Sequence, residues 1–165
     1  MLNSGILYFF CGKMGAGKST ESKVLASTEN AILISEDEWL SKLYPSQIGT
    51  FDEYLQFSST MKPLVYSHVA NILRTGSNVV LDFPANTLKQ RKWFLRLSDC
   101  AGASSQLIYL RASDDLCLSQ IAKRRIEQPE RSMFDTEAVF NEVNRFFEEP
   151  SENEGISIRI IEKDT

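Results

Sequence analysis

An apolar strand, a glycine-rich turn and a helix follow one another near the start of this chain, and this order constrains the fold more than any other feature. Residues 5–11 form a nearly unbroken apolar run, and residues 18–27 are typical of a helix. Glycines in the turn between the strand and the helix let the backbone wrap closely around an anion, and the helix N-terminus adds partial positive charge. The turn fits G-x-x-x-x-G-K-S/T, the pattern of a phosphate-binding loop or P-loop, as Gly12-Lys13-Met14-Gly15-Ala16-Gly17-Lys18-Ser19.

The residues of this P-loop have separate predicted roles in binding a nucleoside triphosphate. Lys18 should reach the β- and γ-phosphates, and the Ser19 hydroxyl should coordinate Mg²⁺. The chain lacks the Asn-Lys-x-Asp and Thr-Lys-x-Asp runs of guanine-specific GTPases, so we expect ATP and Mg²⁺ as the cofactors. Because consecutive N–H groups form a nest for phosphate oxygens, the predicted nucleotide-binding residues are Gly12, Lys13, Met14, Gly15, Ala16, Gly17, Lys18, Ser19 and Thr20.

The rest of the chain predicts one α/β domain over residues 1–165. Apolar runs indicate four further strands, and five strands separated by helices predict a parallel sheet covered on both faces. The last run alternates more than the others, which favours an edge strand. The strands are expected over residues 31–34, 77–82, 106–110 and 156–161, and the helices over 18–27, 51–74 with a break or bend at Pro63, 87–100, 113–127 and 135–147.

Charge and composition bear on location and partners. The net charge of −4 gives no reason to expect nucleic acid or an anionic membrane as a partner. The net charge does not exclude a local basic cleft. No apolar run approaches the roughly 20 residues that span a bilayer, and the first strand begins too early to leave room for a signal peptide. Three cysteines without pairing or metal-ligand spacing also favour a cytoplasmic protein.

Asp82 ends the apolar run Val79-Val80-Leu81, which is the Walker-B pattern of a strand followed by an acid. The C-terminal ends of parallel strands lie beside the P-loop, so the Asp82 carboxylate is predicted to hold Mg²⁺ directly or through water. The alternative is an aspartate that only caps the following turn.

Three carboxylates, Glu36, Asp37 and Glu38, follow the second strand. Phosphoryl transfer to a hydroxyl is helped by an acid that accepts the proton of the acceptor, and Asp37 is the predicted base. The alternative is that the three acids only stabilise the N-terminus of a short helix, where negative charge is favourable.

The basic cluster Lys123-Arg124-Arg125 and the nearby Arg131 surround a proline-containing loop. Mobile positive charge neutralises a transferring phosphoryl group, which predicts a lid whose catalytic arginines come from Arg124, Arg125 and Arg131. The alternative is that these cations only stabilise the C-terminus of a helix.

The sequence leaves two interpretations open for two further features. Arg91 could face an anionic substrate or solvent, and an acceptor pocket or the core could take the aromatic residues Trp39, Tyr44, Phe51, Tyr54 and Phe57.

Taken in order, these motifs resemble the small P-loop kinases of the AAA-type ATPase and zeta-toxin-like set, akin to polynucleotide kinase and chloramphenicol phosphotransferase domains. The resemblance reaches from the first strand to about residue 161 and implies a three-layer fold whose five parallel strands lie in the order 2-3-1-4-5. It also implies a short lid with arginines, a nucleotide-base loop over residues 149–155, and activation of an acceptor hydroxyl by Asp37. Many relatives carry an arginine three residues after that aspartate, where this chain has Leu40. The motifs are Gly12-x-x-x-x-Gly17-Lys18-Ser19-Thr20, Ile34-Ser35-Glu36-Asp37, Val80-Leu81-Asp82 and the Arg124/Arg125 region.

Together these features predict an ATP-dependent kinase that transfers the γ-phosphoryl group to a hydroxyl of a small molecule. Two alternatives stay open. One is a non-enzymatic or weakly hydrolytic ATP-binding module that regulates a partner, and the other is a nucleic-acid 5′-end kinase, which the net acidity and Leu40 do not favour. Neither the acceptor nor the oligomeric state follows from the sequence.

Overall fold

Five parallel strands form one sheet in the computed structural model, which describes residues 3–163. The strand order is β2-β3-β1-β4-β5, which confirms the predicted order and the position of the last strand at an edge. Residues 1, 2, 164 and 165, which the predicted single domain includes, lie outside the described residues. The strands are β1 (Ile6–Cys11), β2 (Ala31–Ser35), β3 (Asn78–Asp82), β4 (Ser104–Ala112) and β5 (Ile158–Lys163).

Helices connect the strands and cover both faces of the sheet. Thr87 and Ser113 cap the helices that begin at Leu88 and Asp114, and each side chain accepts a hydrogen bond from the backbone N–H three residues on. Two 3₁₀ turns occur at Pro129–Arg131 and Glu152–Glu154. The helices are α1 (Lys18–Thr28), α2 (Glu36–Leu43), α3 (Phe51–Arg74), α4 (Leu88–Ala101), α5 (Asp114–Glu127) and α6 (Glu137–Asn144).

Pro63 does not break its helix, and one predicted helix start is wrong. Helix α3 is continuous through Pro63, whose ring lies on the exposed side of the helix, where slight curvature is tolerated. Helix α6 begins at Glu137 after the Thr136 cap, so Asp135 precedes the helix instead of starting it. Within residues 3–163, no helix is long and apolar enough to cross a membrane.

The alternation of side chains along β1 builds two apolar layers. Leu7 and Phe9 face α3 and α4, and the rings of Phe9 and Phe94 stack with their centroids 4.4 Å apart. Tyr8 and Phe10 face the opposite side, where α1, α5 and α6 pack. Burial on both faces holds the strands in register, so their C-terminal ends form one edge and present the residues that follow each strand together.

Candidate active site

The P-loop between β1 and α1 adopts a backbone that requires glycine at two positions. Gly15 has φ 84° and Gly17 has φ 97°, a left-handed conformation that side chains disfavour. A Cβ atom at Gly15 would also lie 2.5 Å from the carbonyl oxygen of Cys117. The two glycines of the motif therefore have a steric reason, and the loop curls over the start of α1.

The curled loop leaves a set of backbone donors without protein acceptors. Gly17 caps α1 without a side-chain hydrogen bond, and the first turn of a helix has no intrahelical acceptor for its amides. Across residues 3–163, no acceptor lies in hydrogen-bond geometry to the N–H groups of Gly15, Gly17, Lys18 and Ser19. Unpaired donors on a concave loop at a helix N-terminus match the requirements of an anionic phosphate chain.

The Lys18 ammonium lies inside this loop. It donates hydrogen bonds to the carbonyl oxygens of Gly12 and Lys13, the second at 3.1 Å. Burial lowers the pKa of Lys18, and the nearby Asp82 carboxylate partly offsets this effect. A bound phosphate would supply the negative charge that the buried ammonium lacks.

Asp82 ends β3 beside the first turn of α1. Burial raises the pKa of Asp82, whereas the neighbouring Ser19 side chain and the Lys18 ammonium lower it. A hydroxyl and a carboxylate oxygen are ligands that Mg²⁺ accepts, and Mg²⁺ usually takes its other ligands from phosphate and water. Among the described residues, no three His, Cys, Asp or Glu side chains group as a metal site.

Glu36 and Asp37 open α2 but have different surroundings. The helix that the sequence offered as an alternative is present, and Ser35 caps it by accepting a hydrogen bond from the Glu38 amide. The Asp37 side chain stays about half exposed and lies near enough to Asp82 to raise the pKa of that carboxyl. The Asp37 carboxylate is thus accessible at the edge of the sheet beside the P-loop.

Glu36 is buried, with 2% of its surface exposed. Its carboxylate accepts hydrogen bonds from the Tyr54 hydroxyl and, at 2.7 Å, from the Ser58 hydroxyl, both on α3. Burial raises the pKa of Glu36. Glu36 therefore fixes the first turn of α2 to α3, a role that the sequence analysis missed because three consecutive acids look alike.

The predicted lid arginines separate into three environments. Arg131, at the end of the 3₁₀ turn, donates a hydrogen bond to the Asp37 carboxylate over 3.5 Å. Arg124 donates to the buried Asp135 carboxylate over 2.9 Å. Arg125 is exposed, and the structure of residues 3–163 pairs it with no acid. Asp135, which the sequence analysis assigned to a helix start, thus pairs with both Arg124 and Arg131, with Arg131 at 3.4 Å. Arg124 also lies close enough to Lys18 to add to the effect of burial in lowering the pKa of that ammonium.

Arg91 matches neither of its predicted environments. Its side chain is 1% exposed and forms an ion pair with Glu154 at 2.7 Å. It also donates a hydrogen bond to the Ala85 carbonyl oxygen over 3.0 Å. Arg91 therefore holds the segment that precedes β5, and both the substrate and the surface interpretations of Arg91 are wrong.

Four of the five aromatic residues that were considered for an acceptor pocket are half-buried and pack against the core. Phe51 is exposed on the first turn of α3. Leu40, at the position where relatives carry an arginine, is buried in the core under α3. The aromatic side chains packed against that core are Trp39, Tyr44, Tyr54 and Phe57.

The sequence and the fold were compared with known proteins. The AAA domain family matches residues 7–150, which is most of the chain. Among curated proteins, none matches the sequence. The sequence similarity to a family thus covers every segment of the site described above, from the P-loop to the lid.

Solved structures share the fold at low sequence identity. A supposed kinase from Chloroflexus aurantiacus is 20% identical, with a TM-score of 0.76 over 98% of this chain and 87% of that one. A gluconokinase from Sinorhizobium meliloti is 17% identical, with a TM-score of 0.58 over 98% and 84%. The APS kinase CysC from Mycobacterium tuberculosis, in complex with AMPPNP and APS, is 15% identical, with a TM-score of 0.61 over 99% and 91%. These likenesses show the fold alone, and they confirm the predicted fold of a small P-loop kinase.

Proposed function

Because the chain belongs to the AAA domain family and folds as a small P-loop kinase, we propose that it transfers the γ-phosphoryl group of ATP to a hydroxyl of a small molecule. The observation that carries this proposal is the half-exposed Asp37 carboxylate, which lies near Asp82 and in contact with Arg131. A purely regulatory nucleotide site has no need of an accessible carboxylate at this edge, whereas phosphoryl transfer to a hydroxyl uses one to accept the proton of the acceptor.

In the proposed reaction, the P-loop amides bind the phosphate chain of ATP. Lys18 leaves the carbonyl oxygens of its own loop and neutralises the β- and γ-phosphates. Ser19 and Asp82 would hold Mg²⁺, which supplies charge neutralisation at the phosphate oxygens when it is bound.

Asp37 accepts the proton of the acceptor hydroxyl as the acceptor oxygen bonds to the γ-phosphorus. The bond between the γ-phosphorus and its bridging oxygen breaks, and ADP leaves with the electron pair of that bond. Arg131 must release Asp37 for this step, and its guanidinium is then free to stabilise charge on the transferring group. Arg124, held by Asp135 and near Lys18, adds positive charge to the same region, whereas Arg125 has no assigned contact in this arrangement.

The acceptor in this proposal is a small molecule without a terminal phosphate. Leu40 is buried, so the position that carries an arginine in many relatives offers no cation to an acceptor phosphate. The net charge of −4 also gives a nucleic acid no general attraction. We place the reaction in the cytoplasm, where ATP is available and where free thiols persist.

A labelling experiment tests the proposed function. The protein is incubated with a metabolite extract, Mg²⁺ and ATP labelled in the γ-phosphate, and labelled products are identified by mass spectrometry. Asp37→Asn should bind ATP but form labelled product about 10²–10⁴-fold more slowly, and Lys18→Ala should form none. Absence of product from any extract, together with a nucleotide-dependent change in affinity for a protein, would replace the proposal with the regulatory alternative.

A further inference from the structure

Asn86 joins three parts of the structure through hydrogen bonds. Its side-chain Oδ1 accepts from the Gly12 amide over 3.0 Å, which reaches the first residue of the P-loop. Its own amide donates to the Gln90 side chain in the first turn of α4 over 2.8 Å. Its carbonyl oxygen accepts from the Glu148 amide over 2.8 Å. Glu148 belongs to residues 146–155, which we call the strap because they connect α6 to the approach of β5 across the C-terminal edge of the sheet.

The Gly12 amide needs the Asn86 side chain as its hydrogen-bond acceptor because Gly12 lies just beyond the paired part of β1. Gly12 is buried and comes directly after the end of β1, so its N–H lies outside the pairing of the strands. The backbone there is closely packed, since a Cβ at Gly12 would lie 2.9 Å from the Leu110 carbonyl oxygen. A buried amide that loses its acceptor is unfavourable, so the Asn86 side chain holds Gly12 in the one arrangement that satisfies it.

The strap is fixed on the far side of Asn86 by charged groups. Glu154 forms the buried ion pair with Arg91, and the Glu148 carboxylate accepts a hydrogen bond from the Leu88 amide over 3.2 Å. On the near side, the Lys13 ammonium of the P-loop lies 5.9 Å from the centre of the Phe147 ring. The strap therefore contacts the P-loop at Lys13 and shares Asn86 with Gly12.

We propose that Asn86 is a positioning residue for nucleotide binding. It sets the start of the P-loop through Gly12 and couples the loop to the strap through Glu148. The inference rests on the ATP binding of the proposed function, and it adds a residue that touches no phosphate. By fixing Gly12, Asn86 keeps the unpaired amides of the P-loop directed to the same phosphate-binding position.

Two substitutions separate this role from a general effect on folding. Asn86→Ala removes the acceptor of the Gly12 amide, which follows β1, whereas Asn78→Ala removes the acceptor of the Ile6 amide at the start of the same strand. The dissociation constant for ATP with Mg²⁺ is measured by titration calorimetry. The exchange rate of the Gly12 amide is measured by NMR, and the melting temperature by scanning calorimetry. Loss of one hydrogen bond should weaken ATP binding about three- to tenfold in Asn86→Ala and speed Gly12 exchange by a similar factor.

The control defines the outcomes. Asn78→Ala should lower the melting temperature and leave the affinity for ATP within about twofold of the unmodified protein. Equal affinities for the unmodified protein and Asn86→Ala would overturn the role of Asn86 while ATP binding itself stands. No ATP binding by the unmodified protein would overturn the proposed function as well, so the two failures are distinguishable.

Two further measurements apply if Asn86→Ala does not fold. Asn86→Asp keeps an oxygen at the same position, so the Gly12 amide should stay as protected from exchange as in the unmodified protein. In the unmodified protein, ADP with Mg²⁺ should slow exchange of the Glu148 amide at least about threefold, because ordering the P-loop also orders its shared partner. An unchanged Glu148 rate in the ADP complex would overturn the coupling between the P-loop and the strap.

Discussion

Substitution of the two left-handed glycines of the P-loop by alanine tests the packing of this loop against α5. Gly15 and Gly17 have nearly the same φ, 84° and 97°, so alanine is strained at both positions. They differ in space. A Cβ at Gly15 would lie 2.5 Å from the Cys117 carbonyl oxygen and 2.9 Å from Cγ1 of Ile121, whereas a Cβ at Gly17 would have no atom within 4 Å. Gly17→Ala is therefore a matched control for Gly15→Ala.

The expected losses of stability follow from two effects, the left-handed backbone and the steric contact of the added Cβ. A left-handed alanine costs about 1–2 kcal/mol, and this applies to both variants. Forcing an atom into closely packed backbone costs about 1–3 kcal/mol more, and this applies to Gly15→Ala alone. We expect a loss of free energy of unfolding of about 2–5 kcal/mol for Gly15→Ala and about 1–2 kcal/mol for Gly17→Ala.

Urea unfolding of the nucleotide-free proteins measures these differences, and melting temperatures give a second estimate. For a domain of this size, 1 kcal/mol shifts the melting temperature by about 2–4 °C, so the two variants should differ by several degrees. Equal losses in the two variants would contradict the described contact between the P-loop and α5. A larger loss in Gly17→Ala would contradict the geometry of the loop itself.

Three further predictions concern charged groups. Asp37→Asn removes the ion pair with Arg131 but keeps the P-loop, so phosphoryl transfer should fall by about 10²–10⁴-fold while calorimetry shows retained ATP binding; undiminished transfer would exclude Asp37 as the base. Burial raises the pKa of Glu36, so the folded protein holds this proton to higher pH than the unfolded chain, and the contribution of Glu36 to stability is lost as pH rises from about 4.5 through the raised pKa. Urea unfolding from pH 4.5 to 7.5 should then show Glu36→Gln gaining stability relative to the unmodified protein, and a pH-independent difference would contradict the burial of that charge. Arg91→Met leaves Glu154 buried without its partner, so urea unfolding should show a loss of about 3–5 kcal/mol in the free energy of unfolding. Arg91→Met combined with Glu154→Met should recover part of this loss. An equal loss in the single and the double variant would show that packing, and not the ion pair, determines the effect.

The parts of the structure that the sequence predicted are those that local patterns determine. The P-loop has its conformation because Gly15 and Gly17 sit where the backbone is left-handed, and those glycines are visible in the sequence. The strands are predicted by apolar runs, since a strand covered on both faces needs apolar residues throughout. Asp82 followed from the same pattern, because a strand that ends at the P-loop edge presents its next polar residue there.

Polar partners that lie far apart in sequence could not be predicted in this way. Arg91 and Glu154 are separated by 63 positions, and each alone is an ordinary surface residue by its neighbours in sequence. A buried charge is tolerated only when a partner of opposite charge reaches it, so burial of Arg91 depends on where the strap passes. No local pattern records that path, and the interpretation of Arg91 as a surface or substrate residue was wrong for this reason.

Adjacent residues of one type show the same limit at shorter range. Glu36 and Asp37 are consecutive acids at a helix N-terminus, and successive residues of a helix point about 100° apart, so only one of them can face α3. Which one does so depends on the position of α3, whose Tyr54 and Ser58 hydroxyls lie one helical turn apart and bind the Glu36 carboxylate. The division into a buried anchor and an exposed acid therefore arises from tertiary packing. Since the buried Glu36 anchors the first turn of α2 and immediately precedes Asp37, Glu36→Gln should also lower the proposed phosphoryl transfer, measured with the same labelled ATP, and an unchanged rate would separate the anchor from Asp37.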